Sequence, residues 1–291
     1  MPTPLLLKSS AKINLTLEII SRRADGYHDL VSLMSPIGVY DHLCLAPADG
    51  LAVDCTHPDV PEDHTNLAYR AARLFFDKLG QRGGVHITLT KNIPVGAGLG
   101  GGSGNAAAVL VGLNRLFGAP LTREALMTAG VTLGADVPFF ILGKPAVATG
   151  VGERLHPVAD LPRRWVVVVW PGFGISTREA YEGLNANSLG PNLALTKSEN
   201  LHKSLLLKSR NGLPEDYLHN DLEAVILPRH PELADIKRAL MRSGAVGALM
   251  TGSGSCVFGM FHDPRTADAA RKTLAGTSSW RVYSAPLLTE G

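Results

Sequence analysis

The chain has 291 residues, about twice the usual length of a single domain, and this length predicts two domains. Its hydrophobic fraction of 45% and charged fraction of 19% are typical of a globular protein and exclude intrinsic disorder. The 28 Lys and Arg residues against 26 Asp and Glu residues leave a formal net charge of +2, too small for the sustained phosphate neutralisation of a nucleic-acid binder. Any anionic ligand is therefore expected to be held by local geometry.

The first half of the chain predicts strands that alternate with helices. Apolar residues alternate along 11–20, as in a strand that buries one face, and shorter strand-like pieces follow between 31 and 58. Residues 64–79 place apolar side chains at helical spacing, with Thr65 as the predicted cap. The remaining predicted elements of this half are a strand at 85–90, a helix at 105–118 and a helix at 122–130.

The second half of the chain predicts a different order of elements. In chain order they are a buried strand at 163–170, a helix at 231–244, two strands joined by a glycine turn, a helix that starts at Asp263, and a closing strand. This is the order of a ferredoxin-like, split βαβ domain. A stretch rich in Gly and Pro near 150–163 marks the boundary, which predicts domains over 1–158 and 159–291.

A polar insertion at 183–215 interrupts this order. Its stretch 197–210 holds four cationic residues against one glutamate, a local charge of +3. We expect a solvated surface loop with a short helix; a basic rim for an anionic ligand or partner is the alternative. The charged residues of this stretch are Lys197, Lys203, Lys208, Arg210 and Glu199.

Cysteine usage and the N-terminal residues indicate the compartment. Cys44, Cys55 and Cys256 form no CxxC pair, which is typical of thiols in a reducing environment. The apolar run from Leu5 to Leu7 is too short for the core of a signal peptide, and no apolar run approaches the length of a membrane span. We therefore expect a cytoplasmic protein that has no membrane segment and no structural metal site.

The glycine-rich segment PVGAGLGGGSGNAAA at 94–108 carries the strongest functional signal. Six of the nine residues from Gly96 to Gly104 are glycine, and they stand between a predicted strand and a predicted helix. Glycines allow positive φ angles and a close approach of an oxyanion to backbone N–H groups, and the helix adds its unpaired N–H groups. Ser103 and Asn105 add side-chain donors. The segment therefore predicts a phosphate site; a hinge or a tight packing turn is the alternative.

Known types of glycine-containing site match this segment less well. No Gly-Lys-Ser/Thr follows it, so it is not a Walker A loop. Gly96 to Gly101 satisfies GxGxxG, but a second helical pattern follows the first helix where a dinucleotide fold needs a strand. Neither Ser103 nor Ser253 lies in GxSxG, which excludes a nucleophile elbow. We therefore predict that the segment binds a nucleoside triphosphate in another architecture.

Three segments together resemble the signature motifs of the GHMP kinases, which include galactokinase, homoserine kinase and mevalonate kinase. The segments are AKINL, PVGAGLGGGSGNAA and TGSGSCVFG. The resemblance implies an α/β (α+β) fold of two domains, with an N-terminal ATP-binding domain like domain 2 of ribosomal protein S5 and a C-terminal ferredoxin-like domain. It also implies ATP as co-substrate and Mg²⁺.

A finer set of segments resembles one member of this family. The segments are SAKINL, RADGYH, NL..RAAR, PVGAGLGGGSGNAA, LGADVPFF and NDLE. That member phosphorylates the 2-hydroxyl of a cytidine-diphosphate-linked methylerythritol in the non-mevalonate isoprenoid pathway. The resemblance therefore implies two small-molecule substrates and no nucleic-acid or membrane partner. A kinase for homoserine or a mevalonate derivative, and a non-catalytic nucleotide-binding protein, are the alternatives. Monomer and homodimer stay open.

Two charged residues are the predicted catalytic pair. Lys12 lies on an apolar strand, where a lysine either has a functional role or ends the strand at the surface. Asp136 lies in LGADVPFF, where an aspartate by itself is typical of a helix cap or a turn. The resemblance implies that Asp136 is the base toward the substrate hydroxyl and that Lys12 orients and stabilises it. An ammonium beside a carboxylate keeps that carboxylate ionised and positioned.

The resemblance also implies two sets of binding residues. For the substrate, Tyr27 and Tyr181 offer faces to the cytosine ring and His28 offers hydrogen bonds to its edge. Further substrate contacts are expected at Asn14, Gly252 and Ser253. The ATP contacts are expected at Asn66, Lys91, Pro94, Val95, Gly96, Ala97, Gly98, Leu99, Gly100, Gly101, Gly102, Ser103 and Gly104.

One position departs from the family pattern. The family loop usually reads GGGSSN, and this chain reads GGGSGN, with Gly104 in place of the second serine. One hydroxyl toward the phosphate or the metal is therefore missing. A protein contact to the metal is then expected from Ser103 or through water, and the sequence leaves this choice open.

Overall fold

The computed structural model describes residues 3–80, 83–159, 161–184, 199–200, 204–205, 215, 218–276 and 279–289. The chain divides into two compact units, each made of separate stretches. The first unit comprises Met1–Ala11, Val39–Pro94 and Gly100–Gly143, and the second comprises Lys12–Gly38, Val95–Leu99 and Lys144–Gly291.

Two sequence predictions are not tested by these residues. The four cations of the predicted basic rim lie outside the described residues. The domain boundary after residue 158 stays a prediction.

The described residues form strands and helices that alternate along much of the chain. The strands are β1 (Leu5–Arg22), β2 (His28–Pro47), β3 (Leu51–Cys55), β4 (Val85–Thr90), β5 (Ala146–Gly150), β6 (Arg154–Pro157), β7 (Trp165–Trp170), β8 (His219–Asn220), β9 (Gly247–Met250), β10 (Val257–Phe261) and β11 (Arg281–Pro286). The helices are α1 (Leu67–Leu79), α2 (Gly101–Leu116), α3 (Arg123–Val131), α4 (Val137–Leu142), α5 (Thr177–Glu182), α6 (Glu223–Ile226), α7 (Pro231–Arg242) and α8 (Pro264–Ala275).

The first unit packs helices against a small sheet. Within it β4 lies between β3, which is parallel to it, and the C-terminal part of β2, which is antiparallel. Helices α1 and α2 pack against each other, and the apolar faces that the sequence predicts form the core, with Phe75, Leu110 and Ile87 almost fully buried. Burying such side chains stabilises a fold by about 1.5–3 kcal/mol each.

The second unit contains the ferredoxin-like sheet that the sequence predicts. Strands β7, β9, β10 and β11 form an antiparallel sheet in the order β11-β7-β10-β9. Helix α7 packs on β9 and β10, and α8 packs on β7 and β11. The valines Val166 to Val169 are fully buried, which explains their unbroken apolar run. None of the described helices has both the length and the apolar character of a membrane span.

Two local details differ from the sequence prediction. The strand-like pieces between 31 and 47 belong to one strand, β2, which runs through Pro36. This proline falls between the stretch of β2 that pairs with β5 and the stretch that pairs with β4, so its missing N–H interrupts neither ladder. At α1 the cap is Asn66 and not Thr65, because the Asn66 side chain accepts a hydrogen bond from the Ala68 N–H at 2.8 Å.

Candidate active site

The glycine loop has the backbone conformation that its composition predicts. Gly96, Gly98 and Gly100 have φ angles of 66°, 77° and 70°, a region that L side chains rarely adopt. Pro94 is buried before the loop, and Val95 is 38% exposed. The alternation of positive-φ glycines with Ala97 and Leu99, both buried, turns the chain sharply between β4 and α2.

Within the second unit, hydrogen bonds to three separate segments hold the loop. The carbonyls of Gly96 and Ala97 accept from the N–H groups of Ile175 and Cys256, both at 3.2 Å. The Leu99 carbonyl accepts from the Lys12 N–H at 3.0 Å. These hydrogen bonds hold residues 96–99 of the loop in place within the second unit, which is the preorganisation that an oxyanion site requires.

Gly98 is a loop position with no room for a side chain. An added Cβ would lie 2.1 Å from the Thr251 carbonyl oxygen, and the φ of 77° adds about 1–2 kcal/mol of strain for any L side chain. We therefore expect Gly98→Ala to displace the loop and to raise the KM for ATP about tenfold or more, measured by steady-state kinetics.

The matched control for this substitution is Gly244→Ala. Gly244 has a φ of 93° but no atom within 4 Å of an added Cβ, so it carries the strain without the clash. We expect this variant to lose some thermal stability and to keep the KM for ATP. Equal KM values for the two variants would contradict the assignment of the loop to ATP.

In the first unit, α2 begins at Gly101, four residues before the predicted start at Asn105. Among the described residues no side chain caps it, and its first backbone hydrogen bond runs from the Gly104 N–H to the Gly100 carbonyl at 2.9 Å. The N–H groups of Gly101, Gly102 and Ser103 therefore precede the intrahelical bonds, and Gly102 is exposed. This end of α2 carries the positive end of the helix dipole.

Packing against β1 explains why a glycine suits position 104. An added Cβ would lie 2.7 Å from the Ser9 hydroxyl oxygen and 3.1 Å from the Ser10 carbonyl oxygen. The Ser9 side chain and the Ser10 carbonyl of β1 therefore crowd the space that a second serine of the loop would need. A metal contact through the Ser103 hydroxyl or through water stays a prediction.

Lys91, predicted to contact ATP, lies in a buried network of the first unit. Its ammonium forms an ion pair with Asp41, and the two side chains are 4% and 0% exposed. Lys91 also donates to Asn105 Oδ1 at 3.1 Å, and Asn105 donates to Asp41 at 2.9 Å. The other Asp41 oxygen accepts from the N–H groups of Asn92 and Ile93 at 2.7 and 2.9 Å. The network ties the end of β4 to the first turns of α2.

Asp41 is a residue that sequence analysis missed. It lies fifty residues from Lys91, in a strand where an aspartate carries no signal beyond its own charge. An added Cβ at Gly101 would lie 3.1 Å from Lys91 Nζ, so the ammonium is close to the N-terminal end of α2. Asn66 is likewise engaged: besides capping α1, its Nδ2 donates to the Pro61 carbonyl at 2.6 Å. The ATP contacts of Lys91 and Asn66 stay predictions.

Lys12 lies in a hydrogen-bonded cluster of the second unit. It is 4% exposed, and its Nζ donates to Asn14 Oδ1 at 2.6 Å. Asn14 Nδ2 donates to the Ser32 hydroxyl at 2.8 Å, and the Asn14 N–H donates to Thr251 Oγ1 at 3.1 Å. The structure thus brings Lys12 and Asn14 together on a buried strand and excludes the alternative in which Lys12 ends the strand at the surface.

The segment 251–255 lies against this cluster. An added Cβ at Gly252 would lie 3.3 Å from Lys12 Nζ and 3.1 Å from the Gly98 carbonyl oxygen. The Ser253 hydroxyl is 3.3 Å from that of Thr177. The second glycine turn of the sequence is therefore next to Lys12 and to Gly98 of the glycine loop.

Asp136 lies in the first unit, at the N-terminus of α4. It is half-buried, and among the described residues its side chain makes no capping hydrogen bond to that helix. The Asp136 carboxylate is therefore not used as the helix cap that its sequence context alone suggests. Its pairing with Lys12 joins residues of different units and stays a prediction.

The three predicted cytosine contacts lie in the second unit. Tyr27 is 65% exposed, whereas His28 is buried and stands 5.1 Å from the Tyr181 ring, centroid to centroid, at an interplanar angle of 41°. Burial lowers the pKa of His28 below its ordinary 6.5, the charge of Arg22 lowers it further, and Asp29 raises it in part. The imidazole is therefore neutral at pH 7 and has one donor and one acceptor.

Family models match both halves of the chain. The model described as the GHMP kinases N terminal domain matches residues 66–144, and the GHMP kinases C terminal model matches residues 202–277. The 4-diphosphocytidyl-2-C-methyl-D-erythritol kinase of Syntrophotalea carbinolica is 45% identical over 276 residues, which cover 94% of this chain and 95% of the relative. The enzyme of the same name from Clostridioides difficile is 40% identical over 272 residues, covering 92% and 90%.

Solved structures share the fold. A crystal structure of 4-(cytidine 5'-diphospho)-2C-methyl-D-erythritol kinase covers 99% of this chain and 100% of its own at a TM-score of 0.79 and 38% identity. The L. major mevalonate kinase in complex with R-mevalonate covers 100% of each chain at a TM-score of 0.72 but 17% identity, a likeness of fold alone. The two-domain fold expected from the three sequence motifs is thereby confirmed.

Proposed function

The chain belongs to the GHMP kinases, and from this membership we propose that it transfers the γ-phosphoryl group of ATP to the 2-hydroxyl of 4-diphosphocytidyl-2-C-methyl-D-erythritol, in the non-mevalonate isoprenoid pathway. It is an ATP-dependent kinase. The substrate is proposed from relatives that are 40–45% identical over nearly the whole chain. The observation that supports this chemistry is the glycine loop. The protein binds carbonyls of this loop, and among the described residues no side chain caps the helix that follows it.

The proposed reaction is a direct in-line transfer. The 2-hydroxyl oxygen attacks the γ-phosphorus, the bond from that phosphorus to the β,γ-bridging oxygen breaks, and ADP leaves with its electron pair. The hydroxyl proton passes to the Asp136 carboxylate, and Lys12 orients and stabilises that carboxylate. Backbone N–H groups between Gly96 and Gly104 hold the triphosphate. Half-burial of Asp136 and near-complete burial of Lys12 support these roles, because charges act more strongly away from water.

The residues present fit a magnesium ion held mainly by ATP. Mg²⁺ in kinase sites usually keeps several waters and binds through substrate phosphates and one or two protein ligands. The described residues contain no group of three or more His, Cys, Asp or Glu side chains that could hold a metal, so a site built from the protein alone does not fit. Ser103, in the first turn of α2, would add its hydroxyl. The ion would neutralise charge on the transferred phosphoryl group.

Compartment and assembly complete the proposal. All three cysteines are free thiols, which supports a reducing compartment, and we place the enzyme in the cytoplasm. Monomer and homodimer both stay compatible with this function.

A single assay tests the function against its alternatives. ADP release is measured with 4-diphosphocytidyl-2-C-methyl-D-erythritol, homoserine and mevalonate as acceptors. We expect kcat/KM for the cytidine-bearing acceptor to exceed the others by about a hundredfold or more, because a site that hydrogen-bonds a substrate group rejects analogues without it. A preference for another acceptor would identify a different GHMP kinase. Nucleotide binding without ADP release from any acceptor would identify a non-catalytic protein.

Tyr27→Ala tests how the cytidine end is bound. The exposed ring is proposed to stack on cytosine, and one base stack contributes about 1–3 kcal/mol. We expect this variant to raise the KM for the cytidine-bearing acceptor about 5- to 150-fold and to leave the KM for ATP unchanged. Tyr27→Phe keeps the ring and is expected to keep both KM values. A KM for the acceptor that is equal in Tyr27→Ala and wild type would remove Tyr27 from the site.

A further inference from the structure

The NDLE segment at 220–223 contains a buried side chain with no role so far. Asn220, on β8, is 4% exposed, and its Nδ2 donates to the carbonyls of Met250 and Gly252 at 2.8 and 2.9 Å. Its Oδ1 accepts from the Leu222 N–H at 3.0 Å. Both donors of the amide are used on one stretch of backbone, an arrangement that a carboxylate or an aliphatic side chain cannot reproduce.

The backbone that Asn220 holds lies beside the Lys12 ammonium. Gly252 has a φ of 57°, and an added Cβ there would lie 3.3 Å from Lys12 Nζ. Between the two carbonyls bound by Asn220, Thr251 accepts a hydrogen bond from the Asn14 N–H at 3.1 Å. Movement of this stretch would therefore move a neighbour of the Lys12 ammonium and a partner of Asn14, which itself binds that ammonium.

The residues next to Asn220 bind the backbone of the stretch 250–252 and the backbone of β1. Glu223 accepts from the Met250 N–H at 2.8 Å, and Asp221 accepts from the Ile19 N–H of β1 at 2.7 Å. Strand β8 also pairs in parallel with β1, with Asn220 opposite Leu17. The segment thus joins β1, the strand that carries Lys12, to the stretch 250–252.

We propose that Asn220 is a positioning residue of the active site, which holds the backbone of 250–252 so that Lys12 keeps its orientation. This inference rests on the proposed function, in which Lys12 acts in phosphoryl transfer. Because a misplacement of about 1 Å at a reacting group can lower a rate about a hundredfold, an effect on kcat is expected although Asn220 itself lies outside the reaction.

Asn220→Asp is the variant with the same shape. Its carboxylate would face two carbonyl oxygens without a proton to donate, so the stretch 250–252 should shift. We expect kcat to fall about 10- to 100-fold, with the KM for ATP within about threefold of wild type. If this variant does not fold, Asn220→Ala takes its place, since it removes both donors without burying a charge.

Asn114 provides a matched control in the first unit. It is also a buried asparagine bound to backbone: its Nδ2 donates to the Leu121 carbonyl at 2.9 Å and its Oδ1 accepts from the Leu121 N–H at 3.0 Å. We expect Asn114→Asp and Asn114→Ala to lower the Tm and leave kcat at the wild-type value. A fall in kcat no larger for the Asn220 variants than for the Asn114 variants would overturn the positioning role.

Lys12→Ala separates this inference from the proposed function. In the Lys12→Ala background we expect Asn220→Asp to lower kcat less than about twofold. The reason is that the effects of two substitutions do not add when one residue acts through the other. A full, additive loss there would overturn the inference and leave the role of Lys12 intact. A wild-type kcat for Lys12→Ala alone would overturn the role of Lys12, and the inference with it.

Discussion

Asp136→Asn is expected to lower kcat about 10²- to 10⁴-fold while the KM for ATP stays near its wild-type value. A positioned general base contributes a factor of this size, and an amide of the same shape cannot accept the hydroxyl proton. Because the Asp136 side chain does not cap α4, the substitution should leave the start of that helix unchanged. The measurement is steady-state ADP release with the cytidine-bearing acceptor, together with a thermal melt.

The matched control is Asp263→Asn. Asp263 also stands at a helix N-terminus, but it does cap α8, accepting from the N–H groups of Arg265 and Thr266 at 2.9 and 3.0 Å. Asparagine caps helices about as well as aspartate, so we expect wild-type kcat and Tm. A kcat for Asp136→Asn within threefold of that of the control would remove Asp136 from its role as base.

Lys91→Met is expected to destabilise the protein by about 3–5 kcal/mol. The substitution keeps the length of the side chain but leaves the Asp41 carboxylate, which is fully buried, without its cation. Loss of the Lys91 bond to Asn105 would also loosen the first turns of α2, so we expect a higher KM for ATP. Urea denaturation measures the first effect, and steady-state kinetics measure the second.

The control is Lys272→Met, which breaks an ion pair at the surface. Lys272 and Asp268 are 69% and 44% exposed, and such pairs contribute less than about 1 kcal/mol. Adding Asp41→Asn to Lys91→Met should restore part of the lost stability, because it removes the unpaired charge. Similar losses for Lys91→Met and Lys272→Met would show that burial of the Asp41–Lys91 pair has no special cost.

Local chemistry explains which elements of the fold were predictable. Neighbouring residues determine the helical period of α1, the alanine-rich run of α2 and the cap of α8 at Asp263. Each of these helices forms within a few residues of its prediction. The early start of α2 was missed because glycines at 101, 102 and 104 have low helix propensity, and tertiary packing against Ser9, Ser10 and Lys91 overrides that preference.

The sequence by itself determined the family, the order of elements in the ferredoxin-like domain and the positive-φ turns of the glycine loop. These depend on residue type and on spacing over a few positions, because φ preferences, helix periods and strand alternation are local properties. The motifs also selected Lys12, Asn14 and Gly252 as residues of one site.

Only the tertiary structure decided which distant groups became partners. Asn14 meets Thr251 across 237 positions, and Lys91 meets Asp41 across fifty. The residue types at either end do not encode such pairings, because many buried donors and acceptors satisfy each other equally well. Strand register and core packing choose among them, and in this chain they bring Asn220 to the backbone beside Lys12.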